Sequence, residues 1–316
     1  MFSTPQRWLV TGAAGFIGSH LVDRLLTLGQ EVLGLDNLST GKIENLREAQ
    51  KSSKFHLIHG DIRNVEDCQK AMEGIQGVFH QGGLASVPIS IKDPLTTHEV
   101  NVTGTVQILK AAVDAGVKRV VFASSSSVYG DCPRVPIVEE EILKPLSPYA
   151  LSKMTIEHYA SVFGRCYGLE TVGLRYFNVF GPRQDPGSPY SGVISIWSEA
   201  HQKGKPAKIF GDGTSTRDYC AVSDVIEANL LAMNLENTEI VGKSYNIGTG
   251  IATSLSTLWK TLSAIQNENG NSPVENLPYR SGDILHSTAN TSRGEKELRF
   301  KAQGTLEEGL RSLIAG

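Results

Sequence analysis

Cysteine is scarce in this chain, with four residues among 316 (Cys68, Cys132, Cys166 and Cys220), and these are scattered along it. None of them has the spacing of a metal-ligand pair, and the eight histidines form no ligand pattern either. The pattern therefore argues against a zinc module and a disulfide framework. It favours reduced thiols in a cytoplasmic protein with no bound metal.

The chain also lacks a long apolar run and an excess of charge of one sign. No apolar stretch is long enough to cross a bilayer, and the first strand-like segment begins so early that we expect no signal peptide. The net charge of −3 gives no reason to expect a nucleic-acid or membrane partner. At 316 residues the chain can bury a sizeable core as one large or two ordinary domains.

What the chain does have is a glycine-rich turn between a strand and a helix. The apolar run Trp8–Val10 predicts a buried strand, and apolar residues with helical spacing follow from Phe16. Between and just after these lie Gly12, Gly15 and Gly18. Such glycines allow a tight bend, close approach of a pyrophosphate and close helix–strand packing, while the helix N-terminus attracts the phosphates. This pattern predicts a dinucleotide site.

An acidic residue stands where such a site needs one. A second short strand, Glu31–Leu35, is followed by Asp36, 18 residues after Gly18. Dinucleotide sites place an acid about 20 residues after the turn to bind a ribose diol, and its charge repels a 2′-phosphate. The position of Asp36 therefore predicts NAD rather than NADP.

Strand-like and helix-like segments alternate through the first half, which predicts an α/β fold with a Rossmann-type doubly wound parallel sheet. Ligands bind outside the carboxyl ends of the strands in such sheets, so the polar loops there are candidates for the cofactor site. One of these loops leaves two interpretations open. Asp61 and Ile62 could contact adenine, or Asp61 could cap the next helix.

A run of serines and a Tyr-x3-Lys pair supply candidate catalytic groups. The fifth predicted strand, Arg119–Ala123, leads into Ser124–Ser127. Tyr149 and Lys153 then lie one turn apart on one face of a predicted helix. A Tyr-x3-Lys pair is weak evidence by itself. Its place 24 residues after Ser125, behind the glycine turn and the acid, strengthens the assignment.

In this order of motifs the chain resembles, over essentially its whole length, the extended short-chain dehydrogenase/reductase family. Within that family it is similar to the nucleotide-sugar 4-epimerases that act on UDP-N-acetylglucosamine. The resemblance implies a catalytic trio of Ser125, Tyr149 and Lys153 and a tightly held NAD. The cofactor contacts that it implies are Gly12, Gly15, Phe16, Ile17, Gly18, Asp36, Asn37, Ser39, Thr40, Gly41, Asp61, Ile62, Gln81, Gly82, Gly83, Ala85, Asn101, Ser124, Tyr149, Lys153 and Tyr176.

The implied chemistry suits these residue types. Oxidation of a sugar hydroxyl needs a base for the O–H proton, and free tyrosine, with a pKa near 10, is a poor base at neutral pH. Lys153 and the positive nicotinamide both favour the phenolate, and two nearby cations could lower the pKa by the required 3 units or so, roughly 4 kcal/mol. The hydride would pass to NAD and return to the other face of a 4-keto sugar, so the cofactor is retained.

The second half is expected to supply the substrate site. The Gly-Pro pair after residue 180 marks a boundary between an NAD-binding domain at 1–180 and a smaller α/β nucleotide-sugar-binding domain at 181–316, some segments of which could return to the first. A lone arginine is most often a solvated charge, but arginine forks match phosphate oxygens and the family pattern has arginines here. The implied substrate contacts are Ser86 (in Ser86-Val87-Pro88), Ser125, Ser126, Tyr149, Asn178, Val193, Ile209, Arg217, Arg280, Asp283 and Ser287. Val193 and the pair Ile209-Phe210 would flank the uracil.

The expected sugar specificity depends on Ser287. It lies four residues after Asp283, where epimerases restricted to glucose and galactose nucleotides tend to have a bulky side chain. A small residue leaves room for a 2-acetamido group, so UDP-GlcNAc and UDP-GalNAc, and also UDP-glucose and UDP-galactose, should fit. An ordinary loop serine is the alternative.

Three departures from the family pattern bear on function. Gly82-Gly83 replaces alanines in a cofactor-contacting loop, and Ile89 stands where many relatives have an arginine. Ser126-Ser127 takes the place of the Asp-Glu pair that 4,6-dehydratases need to expel water, which argues against a dehydratase.

Two alternatives remain: another nucleotide-sugar oxidoreductase on this scaffold, and a non-catalytic dinucleotide sensor. Family analogy also implies a homodimer, in which the Tyr149 helix and a helix at about 94–115 pair across a two-fold axis.

Overall fold

The computed structural model describes residues 4–184, 192–203, 205–236, 238–266, 273–279 and 284–315. Strands and helices alternate through its first half, as the sequence pattern predicts. The strands there are β1 (Arg7–Thr11), β2 (Glu31–Asp36), β3 (Phe55–His59), β4 (Gly77–His80), β5 (Arg119–Ser125) and β6 (Glu170–Tyr176). The helices are α1 (Phe16–Thr27), α2 (Val65–Ala71), α3 (Val87–Lys92), α4 (Pro94–His98), α5 (Gly104–Asp114) and α6 (Pro148–Tyr167).

Two irregular turns lie beside the site. A π-helical turn, Glu99–Thr103, joins α4 to α5, so the helix predicted at about 94–115 is present with a wider turn in its middle. A 3₁₀ turn, Ser126–Tyr129, follows β5.

Shorter elements make up most of the second half. The strands are β7 (Asn178–Phe180), β8 (Ala207–Phe210), β9 (Thr216–Arg217), β10 (Tyr219–Ala221), β11 (Lys243–Ile247), β12 (Thr253–Ser254), β13 (Val274–Leu277) and β14 (His286–Ser287). The helices are α7 (Val193–Gln202), α8 (Val222–Asn234), α9 (Leu255–Gln266) and α10 (Leu306–Ala315).

Seven parallel strands form the main sheet, in the order β11-β6-β5-β4-β1-β2-β3. The predicted doubly wound α/β fold is confirmed. Successive strands extend to one side from β1 to β3 and to the other from β4 to β6. The switch between β1 and β4 therefore opens a crevice at their carboxyl ends, which is where such sheets bind ligands.

Leu9 and Val10 illustrate how both faces of the sheet are covered. Neighbours on a strand point to opposite faces. Leu9 belongs to the apolar cluster formed with α2, α5 and α6, and Val10 to the cluster formed with α1 and α8; both side chains are fully buried. Two buried faces account for the continuous apolar runs that predicted these strands.

The second half returns to this sheet and also builds a core of its own. Strand β11 pairs with β6, and an Arg24–Glu227 ion pair of 2.9 Å joins α8 to α1. A separate apolar cluster holds α7, α9 and α10 together around Trp197 and Trp259, whose ring centroids lie 5.5 Å apart. The domain boundary near residue 180 stays a prediction.

Among the described residues, no helix combines the length and apolar character that a membrane span requires. All four cysteines are free thiols, and three of them are buried.

Candidate active site

The turn after β1 is built by close backbone contacts. Gly12 adopts φ +65°, and a Cβ on it would lie 2.8 Å from the Gly82 backbone. A Cβ on Gly18 would lie only 2.0 Å from the Gly12 carbonyl oxygen, so α1 can pack here only without a side chain. Gly15 precedes α1 with no side-chain cap. The first N–H groups of α1 therefore need acceptors from outside the helix.

A cleft opens above this turn, and most of the predicted cofactor contacts line it. The predicted residues along it are Gly12, Gly15, Phe16, Ile17, Gly18, Asp36, Asn37, Ser39, Thr40, Asp61, Ile62, Gln81, Gly82, Gly83 and Ala85. Lys42, Asn45, Val100 and Arg183 also line it and were missed by sequence reasoning. Gly41 does not line the cleft and instead packs against Ala14.

Asp36 is held at the rim of the cleft by backbone donors. The Ala14 N–H donates to its Oδ2 at 2.9 Å and the Leu38 N–H to its Oδ1 at 2.8 Å. The carboxylate thus faces the glycine turn, where it can also accept from a ribose hydroxyl and would repel a phosphate.

Asp61 also lines the cleft, and the alternative that it caps the next helix is wrong. Asn64 caps α2 by accepting from the Asp67 N–H at 3.0 Å. Asp61 is bound instead by Arg63 and Asn37, and the hydrogen bond from Arg63 lowers the pKa of Asp61 to about 2. It therefore stays ionised at neutral pH.

The loop after β4 is fixed from below by buried polar groups. The Gly82 N–H donates to Thr11 Oγ1 at 3.0 Å, and Thr11 is in turn hydrogen-bonded to His80 at 2.7 Å. Burial lowers the pKa of His80 to about 3, which keeps its ring neutral. Asn101 accepts from the Leu84 N–H at 2.7 Å and donates to the Leu84 carbonyl at 3.0 Å.

Asn101, which the resemblance implied as a cofactor contact, is therefore corrected. It is 1% exposed, and its amide is hydrogen-bonded to the Leu84 backbone and to Ser152 Oγ. A buried amide of this kind has its partners within the protein. Gly83 packs tightly against it, since a Cβ there would lie 3.0 Å from Asn101 Oδ1.

Ser125, Tyr149 and Lys153 come together where β5 meets α6. Ser147 caps α6 by accepting from the Ala150 N–H at 3.1 Å, and Pro148 begins the helix. Tyr149 faces Ser125, whose hydroxyl interacts with the phenol. Lys153 Nζ donates to the Ala123 carbonyl at 2.9 Å, and a Cβ on Gly83 would lie 3.6 Å from that nitrogen. The ammonium thus stands beside the cleft.

Burial dominates the protonation of this pair. It raises the pKa of Tyr149, and the hydrogen bond with Ser125 opposes the rise. It lowers the pKa of Lys153 to about 8, and the charge of Glu157 opposes that fall. The protein alone therefore does not supply the lowered tyrosine pKa expected from the sequence.

Two further residues implied as cofactor contacts point elsewhere. Ser124 is 2% exposed and donates to Glu157, and the Tyr176 hydroxyl donates to Gln81 at 3.1 Å while accepting from Asn229 at 2.8 Å. Polar side chains at the end of buried strands are satisfied inside the protein. Sequence reasoning missed Glu157 and Asn229, although the position of Glu157 four residues after Lys153 is a signal that could have drawn notice.

Two of the predicted substrate contacts lie beside each other on β9 and β14, and a third lies close to them. Arg217 on β9 is in register with Ser287 on β14, and the Asn178 N–H donates to the carbonyl of Asp218, the residue after Arg217. Asn178 is exposed and Val193 half-buried, so both can meet a ligand. Arg280 and Asp283 lie outside the described residues.

Ile209 and Ser86 do not fit their predicted roles. Ile209 is 4% exposed in the α7–α9–α10 core, because strand alternation turns it inward, whereas the next residue, Phe210, is half-buried. Ser86 is buried and caps α3 by accepting from the Ile89 N–H at 3.3 Å. Ser126, half-buried, begins the 3₁₀ turn.

No group of three or more His, Cys, Asp or Glu side chains in the described ranges is arranged to hold a metal ion.

The close packing at Gly18 leads to a testable prediction. We expect Gly18→Ala to lower the free energy of unfolding by about 1–3 kcal/mol, because the new methyl overlaps the Gly12 carbonyl and α1 must shift. Gly294→Ala is the control, since a Cβ there meets its nearest atom at an ordinary 3.5 Å. Equal midpoints in urea unfolding for Gly18→Ala and the unaltered protein would contradict this account of the turn.

Known proteins have similar sequences and similar folds. Residues 8–248 match the model of the NAD dependent epimerase/dehydratase family. A UDP-glucose 4-epimerase of Mycolicibacterium smegmatis is 40% identical over 98% of this chain and 97% of its own length.

Two solved structures have a similar fold. A UDP-N-acetylglucosamine 4-epimerase of Methanobrevibacter ruminantium, in complex with UDP-N-acetylmuramic acid, matches with a TM-score of 0.92 and 36% identity, over 99% of this chain and 98% of that one. A UDP-glucose 4-epimerase of Thermus thermophilus, in complex with NAD, matches with a TM-score of 0.87 and 37% identity, over 98% of both chains. The chain therefore belongs to the NAD dependent epimerase/dehydratase family.

Proposed function

We propose that the protein inverts C4 of a UDP-sugar through a transient 4-keto sugar. Its substrates would be UDP-GlcNAc and UDP-GalNAc, with UDP-glucose and UDP-galactose as further ones. The observation that carries the proposal is that Tyr149 faces Ser125, with the Lys153 amine beside the cleft. A non-catalytic sensor has no use for such a pair. The free thiols support a cytoplasmic site of action.

The cleft residues fit NAD as the cofactor. Gly12 and Gly18 admit no Cβ, the start of α1 has no side-chain cap, and Asp36 presents its carboxylate at the rim. We expect the N–H groups of α1 to hold the pyrophosphate and Asp36 to hold the adenosine ribose. Bound NAD would accept a hydride from the sugar carbon and later return it.

Tyr149 would take the proton from the sugar hydroxyl and give it back after the ketone has turned. Because burial raises the pKa of Tyr149, the phenolate needs positive charge close by. We assign that charge to Lys153, one turn along α6, together with the oxidised cofactor. Ser125, which faces Tyr149, would donate to the same sugar oxygen.

Arg217 and Asn178 would bind the diphosphate, and Val193 would contact the uracil. The adjacency of Asn178 to the Arg217–Asp218 segment supports this assignment. Of the predicted pair Ile209-Phe210, only Phe210 keeps its assignment as a contact of the base. Arg280 and Asp283 keep their assignments from the family pattern alone.

The dehydratases of the family are the nearest rival. Elimination of water needs an acid and a base beside the catalytic serine. Here the adjacent positions are Ser126 and Ser127, and the Ser127 hydroxyl donates to Ser125 Oγ at 2.9 Å. Hydroxyls cannot take those two roles at neutral pH, so an epimerase is favoured.

We also propose a homodimer through α4 and α6. Leu95, Leu146 and Leu151 are 76%, 61% and 49% exposed, and the last two line a shallow pocket together with Pro94 of α4. Exposed apolar side chains grouped on neighbouring helices are typical of an interface. A two-fold axis would bury the same patch of both copies.

Epimerisation is tested without added cofactor. Purified protein mixed with UDP-GlcNAc should form the galacto isomer, followed at C4 by NMR. Tyr149→Phe should be at least about 10²-fold slower, because it removes the proton acceptor. The matched control is Tyr159→Phe, an exposed tyrosine of the same helix.

An inert wild-type protein would contradict the proposed function, and full activity in Tyr149→Phe would remove the assigned base. Activity only with added cofactor would favour an oxidoreductase that exchanges it.

Sugar specificity is tested at Ser287. Ser287→Tyr should lower kcat/KM for UDP-GlcNAc relative to UDP-glucose by about tenfold or more, because the buried ring takes the space of the acetamido group. His286→Tyr, the exposed neighbour on β14, should leave the ratio unchanged. An equal loss on both sugars in Ser287→Tyr would count against the specificity role.

Light scattering tests the dimer. We expect about twice the 34.2 kDa mass of one chain, and a monomer for Leu95→Glu, since a buried carboxylate in the interface is costly. Ile251→Glu changes an equally prominent apolar residue elsewhere and should leave the dimer intact. A dimeric Leu95→Glu would exclude this surface.

A further inference from the structure

Helix α6 contacts three consecutive residues at the end of β5 through side chains spaced one turn apart. Tyr149 faces Ser125, Lys153 donates to the Ala123 carbonyl, and the third side chain, Glu157, accepts from Ser124. The first two contacts belong to the proposed active site. The third lies behind it, is buried, and has no part in the mechanism given above.

Glu157 sits in a well-formed buried polar cluster. Arg175 on β6 donates to it from Nε at 2.9 Å and from Nη2 at 2.7 Å, a bidentate pair whose two side chains are each 8% exposed. Arg175 Nη1 donates to the Tyr129 hydroxyl at 2.7 Å, and that hydroxyl donates to Asn246 at 2.6 Å. Geometry of this quality holds the Glu157 carboxylate in one place.

We propose that Glu157 is a positioning residue that keeps the Lys153 ammonium charged at the edge of the cleft. Ser124 and Arg175 hold its carboxylate in place for that purpose. The inference rests on the proposed function, because it concerns the charge that would favour the Tyr149 phenolate.

The surroundings of Lys153 explain why a carboxylate is needed there. Burial disfavours the ammonium and brings the pKa of Lys153 to about 8, and the charge of Glu157 opposes this. The titratable groups on neighbouring elements are His80 on β4, Tyr129 in the 3₁₀ turn and Arg175 on β6. His80 is neutral and Tyr129 keeps its proton, because burial raises its pKa. Glu157 lies one turn after Lys153 on α6, a spacing at which opposite charges on a helix attract each other. Without Glu157 the buried charge of Arg175 would also be left uncompensated.

The test is the pH dependence of epimerisation by the purified enzyme. In Glu157→Gln the pKa of Lys153 falls, so the ammonium is lost at lower pH and the alkaline limb of kcat should move down by about one pH unit. At the midpoint pH of the wild-type limb, the variant should therefore be roughly five- to sixfold slower than the wild type. KM for the UDP-sugar should stay within about threefold. Glu157→Asp, which keeps the charge, should restore most of the limb.

Glu170→Gln is the matched control. Glu170 pairs with Arg119 at 2.7 Å, at the opposite end of the same two strands. Its loss should weaken the sheet by a similar mechanism and leave the alkaline limb in place. An equal shift in Glu170→Gln would mean that Glu157 acts only through stability, and would overturn the proposal.

A double variant guards against misfolding. Glu157→Gln leaves Arg175 buried and unpaired, whereas Glu157→Gln with Arg175→Met removes both charges, which proteins often tolerate. It should show a smaller shift of the limb in the same direction. If the wild-type enzyme is active and the folded variants keep the alkaline limb of kcat at the wild-type pH, the proposed role of Glu157 is overturned. A wild-type enzyme that isomerises no UDP-sugar would contradict the proposed function instead.

Discussion

The contact between the end of β5 and helix α6 is the constraint on which the candidate site depends. It joins a strand in the middle of the sheet to the helix that bears Tyr149 and Lys153, with one side chain per turn meeting Ser125, Ala123 and Ser124. A helix held at three points along two turns cannot rotate or slide without breaking buried hydrogen bonds. The phenol and the ammonium are therefore set relative to the sheet, and through the sheet relative to the glycine turn.

The parallel pairing of the strands places the other residues of the candidate site. The carboxyl ends of β1, β2, β4 and β5 share one edge, so residues far apart in the chain meet there. Gly12 touches the Gly82 backbone, and Gly83 brings the loop after β4 to the side of Lys153. The absence of side chains at these glycines is what permits the approach.

A layer of internally satisfied polar groups backs the cleft. The Thr11–His80 bond, the amide of Asn101 and the Tyr176–Asn229 bond all lie just beneath its floor. Unpaired buried polar groups are costly, so these residues hold one another and the loops above them. None of these bonds uses the backbone N–H groups at the start of α1, which has no side-chain cap.

The sequence by itself determined the strands, the glycine turn and the pairing of Tyr149 with Lys153, because those depend on local periodicity and on contacts one turn apart. The predicted strands Glu31–Leu35 and Arg119–Ala123 begin where β2 and β5 begin and end one and two residues before them. Only the tertiary structure decided which hydrogen-bond partners the polar side chains at the strand ends have. Ser124 and Ser125 are adjacent in sequence, yet strand alternation sends the first to Glu157 and the second to Tyr149. Partners such as Glu157, Asn229 and Leu84 lie on other elements, and no local pattern can report which of them a buried donor will reach.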